Sequence, residues 1–215
     1  MDPTLFVQRN TEIARPPLVP EIALHLATAM TPIWQATEET LARGAVPPPF
    51  WAFAWAGGQG LARYLLDNPA VVAGREVLDL CSGSGIVAIA AAKAGASRVV
   101  AAEIDHFAAA AIALNSGLNS VSIAVETRDL LDRAAAGWGV VLAGDVCYEE
   151  PMSSRVLALL RRIAARGRVA LLGDPGRAYL PRSGLRERAR YEVPTSRELE
   201  DREAREAVVW EVLPE

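Results

Sequence analysis

The fold is decided by the stretch Val77-Leu78-Asp79-Leu80-Cys81-Ser82-Gly83-Ser84-Gly85-Ile86, which is followed by small residues up to Lys93. Its apolar residues predict a buried parallel strand that admits one acid, Asp79. The chain then turns through Gly83 and Gly85 into a helix. Glycines let a backbone approach a ligand closely, and the helix directs its positive end to the same place. The stretch therefore predicts a ligand-binding loop.

Two kinds of cofactor suit this loop. The spacing Gly83-x-Gly85-x-x-Ala88, with Glu103 about 20 residues further on, is that of a dinucleotide fingerprint. Asp79 favours S-adenosylmethionine instead, because a carboxylate before the turn repels a pyrophosphate but complements an ammonium and a sulfonium. We therefore expect S-adenosylmethionine as cofactor and S-adenosylhomocysteine as product. A dinucleotide, or no ligand, are the alternatives.

Composition limits the class of protein. The 215 residues are 51% hydrophobic, which suits one sizeable core. A net charge of −4 gives no general attraction to nucleic acid. The N-terminus lacks a signal-peptide pattern, and no apolar run reaches the roughly 18 residues of a membrane span. Cys81 and Cys147 lack disulfide-framework or metal-ligand spacing. We expect a cytoplasmic monomer without a metal, a nucleic-acid partner or a membrane partner.

From Arg75 onward, strand and helix patterns alternate. The expected strands are 75–81, 98–103, 121–125, 139–144 and 168–173, and the expected helices are 86–94, 106–116, 151–165 and 180–188. Two further strands, 190–195 and 207–213, should pair antiparallel because no crossover helix fits between them. This predicts an α/β fold with a Rossmann-like, mostly parallel seven-strand sheet that ends in an antiparallel hairpin. Such a hairpin is unlike the usual dehydrogenase half.

The residues before this alternation form a separate part. We expect residues 1–46 to be an N-terminal appendage packed on the core, and residues 47–215 to be the catalytic domain. Within the appendage, Glu21 to Thr28 suits a strand or a short helix, and Pro32 to Arg43 suits a helix. The appendage either covers the pocket, binds a protein substrate or packs on the sheet edge.

An aromatic segment opens the second part, after Pro47-Pro48-Pro49. Trp51, Phe53 and Trp55 share one face if the segment is extended. They then wall a cofactor pocket, with Gly57 admitting the ligand, or they form core that seats the next helix, expected at 59–66.

Acids are expected at the carboxyl ends of the strands, where ligands bind in parallel sheets. Glu103 is placed to accept hydrogen bonds from ribose hydroxyls, and Asp105 to cap the helix that begins near His106. Asp129 either accepts from the adenine amino group or caps its own turn.

Asp145 and Tyr148, at the end of a further strand, are the expected catalytic pair. Both can face the transferring methyl, and methyl transfer is an in-line displacement that needs alignment and exclusion of water. A lysine acceptor, with an ordinary pKa near 10.4, must first lose a proton. We expect Asp145 to orient the amine and accept a proton transiently. We expect Tyr148 to serve as a hydrogen-bond partner and as an aromatic wall.

These motifs together resemble the seven-strand S-adenosylmethionine methyltransferases, specifically the family sixteen protein methyltransferases marked by acid-x-x-Tyr, here Asp145 to Tyr148. Among these, the chain resembles over residues 5–212 the lysine methyltransferases of the electron transfer flavoprotein β subunit. The motifs are Pro20-Glu21-Ile22, Trp51-Ala52-x-x-Trp55-x-Gly57-Gly58-Gln59, Arg63-Tyr64-Leu65-Leu66-Asp67-Asn68-Pro69, Val77-Leu78-Asp79-Leu80 and Gly173-Asp174-Pro175-Gly176-Arg177.

The resemblance implies methylation of lysines on that β subunit. It also implies cofactor contacts by Trp51, Gly83, Glu103 and either Trp138 or the nearby Asp129. Where the family has its first loop glycine this chain has Cys81, whose side chain must then point away from the methionine moiety. A ribosomal protein or a small molecule as substrate, or binding of S-adenosylmethionine without catalysis, are the alternatives.

Overall fold

The computed structural model describes residues 1–28, 47–132, 137–195 and 203–214. The helices are α1 (Pro3–Asn10), α2 (Ala56–Asp67), α3 (Ile86–Lys93), α4 (His106–Leu118) and α5 (Met152–Ala164). The strands are β1 (Glu12–Ala14), β2 (Leu24–Leu26), β3 (Glu76–Leu80), β4 (Arg98–Ala102), β5 (Ala124–Glu126), β6 (Val140–Gly144), β7 (Val169–Asp174), β8 (Leu185–Pro194) and β9 (Ala204–Val212). Two short 3-10 turns, Phe50–Ala52 and Pro69–Val71, flank α2.

Seven strands form the central sheet in the order β5-β4-β3-β6-β7-β9-β8. The five strands from β5 to β7 are parallel, while β9 runs antiparallel to both β7 and β8. The Rossmann-like sheet with a terminal antiparallel hairpin is therefore confirmed. Strand order reverses between β4 and β6, on either side of β3, and such a reversal opens a crevice at the carboxyl ends of the strands.

The first parallel strand is buried on both faces, as its apolar sequence predicts. Val77 packs into the core beneath α2 and α3, while Leu78 and Leu80 face the opposite core beneath α5. Each fully buried aliphatic side chain of this kind contributes about 1.5–3 kcal/mol of transfer free energy. Helices on both faces thus hold β3 at the centre of the sheet.

One expected helix is wrong. Residues 180–188 do not form a helix, because Leu185 already begins β8, which runs to Pro194 along the edge of the sheet. Its backbone pairs with β9 from Leu185↔Val212 to Pro194↔Ala204. The pairing with β9 stabilises residues 185–194 as a strand, and the periodicity of the segment itself does not reveal this pairing.

The N-terminal segment packs on α4. Phe6 of α1 stacks on Phe107 with ring centroids 4.7 Å apart. Asn119 closes a pair of hydrogen bonds with the backbone of Ala23, at 3.0 and 2.6 Å, next to β2. The segment 21–28 is therefore a strand with flanking coil. The helix expected from Pro32 to Arg43 and the expected boundary at residue 46 lie outside the described residues.

Candidate active site

A cavity of about 690 Å³ opens at the carboxyl ends of β3, β4 and β6. This volume lies within the range of about 300–1,000 Å³ typical of small-molecule sites. Its walls are mainly apolar, with a few acids and arginines. Expected site residues that line it are Trp51, Trp55, Gly83, Glu103, Asp129, Asp145 and Tyr148. No residue of 1–28 lines it, so the described part of the appendage does not cover the pocket.

The glycine loop after β3 depends on three left-handed residues. Cys81, Gly83 and Gly85 have φ angles of 51°, 54° and 82°. Gly85 begins α3, and a Cβ on it would lie 3.3 Å from the side chain of Ile112. Cys81 adopts the backbone conformation that glycine prefers, and its Sγ lies 3.9 Å from the Sδ of Met152. Burial raises the pKa of Cys81 to about 12, so it is a neutral thiol.

Asp79 stabilises this loop through two hydrogen bonds. One of its carboxylate oxygens accepts from the Ser82 hydroxyl and, at 3.1 Å, from the backbone N–H of Ala88 in α3. Burial raises the pKa of Asp79 to about 7, although both hydrogen bonds oppose the rise. Asp79 lines a smaller side cavity together with Gly83 and Asp145. Its predicted role toward a ligand's ammonium group stays a prediction.

Glu103 joins the glycine loop to the end of β4. Its carboxylate accepts from the N–H groups of Gly83 and Asp105, each at 3.0 Å. Burial raises its pKa above the ordinary value. Asp105 caps α4 as predicted, accepting at 2.8 Å from the N–H of Phe107. Glu103 lines the cavity at the end of β4, and its predicted role toward ribose hydroxyls stays a prediction.

Asp129 is used within the protein. It accepts from the N–H of Leu131 and from the Arg155 guanidinium, both at 2.9 Å, and these hydrogen bonds lower its pKa. The turn-capping alternative is thus observed, and the adenine role stays a prediction. Trp138 is not brought to the cavity. It lies just before β6, under Arg98 at the start of β4, at the opposite end of the strands.

The aromatic segment is not extended, because Phe50–Ala52 forms a 3-10 turn. Trp51 and Trp55 nevertheless both line the cavity, so the segment serves as pocket wall and as core. Trp51 is 2% exposed and packs with Val7 and Ala108. Within the described residues its indole N–H is buried without a hydrogen-bond acceptor.

The two glycines at the start of α2 allow a close approach. A Cβ on Gly57 would collide with the carbonyl oxygen of Gly173 and lie 2.7 Å from Asp145 Oδ2. Gly57 does not line the cavity itself. It lets α2 sit so close to β7 that the N–H of Gly58 reaches Asp145 Oδ2 at 2.8 Å.

Asp145 and Tyr148 reach the cavity from the loop after β6. Asp145 is 8% exposed, has a φ of 53°, and forms an ion pair with Arg177, whose Nη2 lies 3.0 Å from Oδ1. Burial raises the pKa of Asp145 to about 6, although Arg177 and the Gly58 N–H lower it. The half-exposed Tyr148 ring meets that of Phe50 at 5.6 Å, and burial raises its pKa to about 12.

Arg177 lines the cavity and pairs with Asp145, although the sequence pattern predicted no role for it. A cation in the loop after β7 was the available signal, because that loop opens at the same end of the sheet.

The site suits S-adenosylmethionine. The carboxylates of Glu103 and Asp145 offer hydrogen-bond acceptors at its two sides, and the apolar side chains of Trp51 and Leu130 line the wall between them. Among the described residues no cluster of side chains has the makeup of a metal site. No helix in the described ranges is long and apolar enough to cross a membrane.

The site lies where the strand order of a seven-strand sheet reverses, and it combines a glycine loop with acids at successive strand ends. These features together define an S-adenosylmethionine-dependent methyltransferase. The model of the ribosomal protein L11 methyltransferase family (PrmA) matches residues 62–144. The chain is 37% identical to the electron transfer flavoprotein beta subunit lysine methyltransferase of Xenopus laevis, over 99% of this chain and 87% of that one. The Danio rerio relative is 39% identical, over 95% and 81%. The chain belongs to the family of electron transfer flavoprotein beta subunit lysine methyltransferases.

Solved structures agree on the fold. The magnesium protoporphyrin IX methyltransferase of Synechocystis PCC 6803 with bound SAM aligns with a TM-score of 0.51 at 15% identity, covering 71% of this chain and 76% of that one. The ribosomal protein L11 methylase of Lactobacillus delbrueckii subsp. bulgaricus aligns with a TM-score of 0.51 at 20% identity, covering 75% and 81%.

Proposed function

We propose that this enzyme transfers a methyl group from S-adenosylmethionine to lysine side chains of a protein substrate. We further propose that the substrate is the electron transfer flavoprotein β subunit. The observation that carries the proposal is the family match over 99% of the chain. It includes Asp145 and Tyr148, which line the same cavity as Glu103. We also propose that the enzyme acts as a cytoplasmic monomer without a nucleic-acid or membrane partner.

One set of cavity residues would bind the cofactor, and another set would contact the acceptor amine. Bound S-adenosylmethionine supplies a methyl group activated by the positive charge on sulfur. Glu103, already anchored to the glycine loop, would hold the ribose hydroxyls, and Trp51 contributes an apolar wall to the same cavity. Asp145 and Tyr148 stand at the other side of the cavity, where an acceptor amine would enter.

Asp145 orients that amine and accepts a proton from it transiently. Tyr148 keeps its proton because burial raises its pKa to about 12, so its hydroxyl serves as a hydrogen-bonding group. Its ring, packed on Phe50, narrows the opening and excludes water from the acceptor. The chain thereby supplies alignment, which is the larger part of catalysis for a displacement of this kind.

A ribosomal protein is the second candidate substrate, because the L11 methyltransferase model matches part of the chain. The match spans β3, β4, β5 and β6 but ends at residue 144, before Asp145 and Tyr148. It therefore supports the cofactor-binding half and says nothing about the acceptor.

A competition assay tests which protein is the substrate. Purified enzyme is incubated with methyl-labelled S-adenosylmethionine and equal amounts of recombinant flavoprotein β subunit and protein L11. We expect label on lysines of the β subunit, located by mass spectrometry, and none with Asp145→Asn. Label on L11 alone would reject the flavoprotein substrate. Equal labelling by wild type and Asp145→Asn would reject the catalytic assignment.

A further inference from the structure

The loop after β7 is built to aim one arginine. Asp174 ends β7, and its Oδ1 accepts from the N–H groups of Gly176 and Arg177, each at 2.7 Å. Asp174 is fully buried, so this turn is anchored in the core. Gly176 has a φ of 85°, which permits the tight reversal. The Arg177 side chain is thereby directed over the mouth of the cavity.

Contacts with Asp145 and with Trp55 both hold the guanidinium of Arg177. Its Nη2 and Nε donate to Asp145 Oδ1 at 3.0 and 3.2 Å. Its central carbon lies 5.5 Å from the centroid of the Trp55 ring. That ring is itself fixed, because its N–H donates at 2.8 Å to the carbonyl of Phe50. Arg177 is 18% exposed at its side chain, so the ion pair is largely desolvated.

An unpaired carboxylate at this place would oppose the reaction. The acceptor lysine must be neutral to attack, and a negative charge beside it stabilises its ammonium form and so raises the pKa of the amine. A cation paired with the same carboxylate offsets most of this attraction.

We propose that Arg177 is a positioning residue that aims Asp145 and offsets its charge, so that the acceptor amine can lose its proton near neutral pH. The released proton passes through Asp145 to water, and the lone pair remains on the lysine nitrogen. This inference rests on the proposed lysine substrate.

The other charged groups near Asp145 do not perform this task. Asp174, behind it, adds negative charge and raises the pKa of Asp145, and Cys147 and Tyr148 beside it are neutral because burial raises their pKa values. Gly58 of α2 contributes only an N–H. The remaining acids of the cavity wall are Glu103, Asp105, Asp129 and Glu149, and its other cations are Arg128 and Arg155.

Those two cations are engaged elsewhere. Arg128 pairs with Glu126 at 2.6 Å, and Arg155 pairs with Asp129 and Asp132, each at 2.9 Å. Among the residues that the structure describes, compensation of Asp145 therefore comes from Arg177.

The test compares kcat against pH for wild type, Arg177→Gln and Arg177→Lys. In Arg177→Gln the acid limb should move up by at least one pH unit, so that kcat falls about tenfold or more at pH 7 and recovers by pH 9. Arg177→Lys keeps a positive charge and should shift less. The KM for S-adenosylmethionine should change less than threefold in both variants.

Arg63→Gln is the matched control. Arg63 is 19% exposed at its side chain and pairs with Glu21 and Asp67, each at 2.7 Å, but lies outside the cavity. Its loss should leave the pH profile in place. An equal fractional loss of kcat at every pH in Arg177→Gln, or the same shift in Arg63→Gln, would overturn the inference.

A second measurement needs neither cofactor nor substrate. NMR titration of the Asp145 carboxyl carbon should show a higher midpoint in Arg177→Gln than in wild type, because a neighbouring cation is removed. An unchanged midpoint overturns the inference. If wild-type enzyme methylates no lysine protein, the proposed function fails instead, and this titration still judges the pairing of Arg177 with Asp145.

Discussion

Asp145→Asn should remove methyl transfer and should also remove a loss of stability that wild type shows as pH rises through about 6. Burial raises the pKa of Asp145 from 3.8 to about 6, so the folded state holds a proton that the unfolded chain has released. The stability that this carboxyl contributes is fully present below pH 3.8 and is lost as pH rises through about 6. At about 1.4 kcal/mol per pH unit, the loss amounts to about 3 kcal/mol.

Asparagine stands in for the protonated acid. It keeps an oxygen for the N–H of Gly58 and has no charge to desolvate. For a chain of this length each kcal/mol corresponds to about 2–4 °C in Tm, so between pH 4 and pH 8 the Tm of wild type should fall by roughly 6–12 °C relative to that of the variant. The variant leaves the Arg177 guanidinium without its counter-charge at every pH, so the comparison uses the change of the Tm difference with pH and not its absolute value.

Differential scanning calorimetry across pH 4–8 measures this difference. Asp132→Asn is the control, since Asp132 is 79% exposed at its side chain and its replacement should shift stability by less than about 0.5 kcal/mol. A Tm difference that stays the same from pH 4 to pH 8 would show that Asp145 is not ionised against a burial penalty.

Three more outcomes follow from the cavity. Glu103→Gln removes a charged acceptor worth about 1.5–3 kcal/mol and should weaken S-adenosylmethionine binding at least tenfold by calorimetry, with Glu76→Gln at the opposite strand end as an unaffected control. Gly57→Ala should lower Tm by several degrees because its Cβ meets the backbone of β7, whereas Gly117→Ala, with open space around it, should not. Trp51→Phe should weaken cofactor binding several-fold, because Trp51 lines the cavity wall, and should also lower Tm, because a smaller ring at a side chain that is only 2% exposed leaves a void in the core. Unchanged affinity in Glu103→Gln or Trp51→Phe would reject that residue's contact with the cofactor.

Much of this architecture is local and was predictable. The apolar run before Gly83 forms β3, as its pattern predicts. Asp105 caps α4 through its own side chain, which accepts from the N–H of Phe107. The antiparallel hairpin followed from the lack of room for a crossover helix. The error at 180–188 arose because β8 is stabilised by pairing with β9 rather than by its own periodicity.

The amino-acid sequence by itself determined the Rossmann-like sheet, the glycine loop and the acids at its strand ends, since strand and turn patterns depend on neighbouring residues. Tertiary structure alone decided what those acids contact. Asp145 receives its partners from residues 32 and 87 positions away, Arg177 and Gly58, and Trp138 is carried to the far end of the strands. Such pairings follow from how α2 and the loop after β7 pack on the sheet, and packing over long sequence separations leaves no periodic signal in the chain.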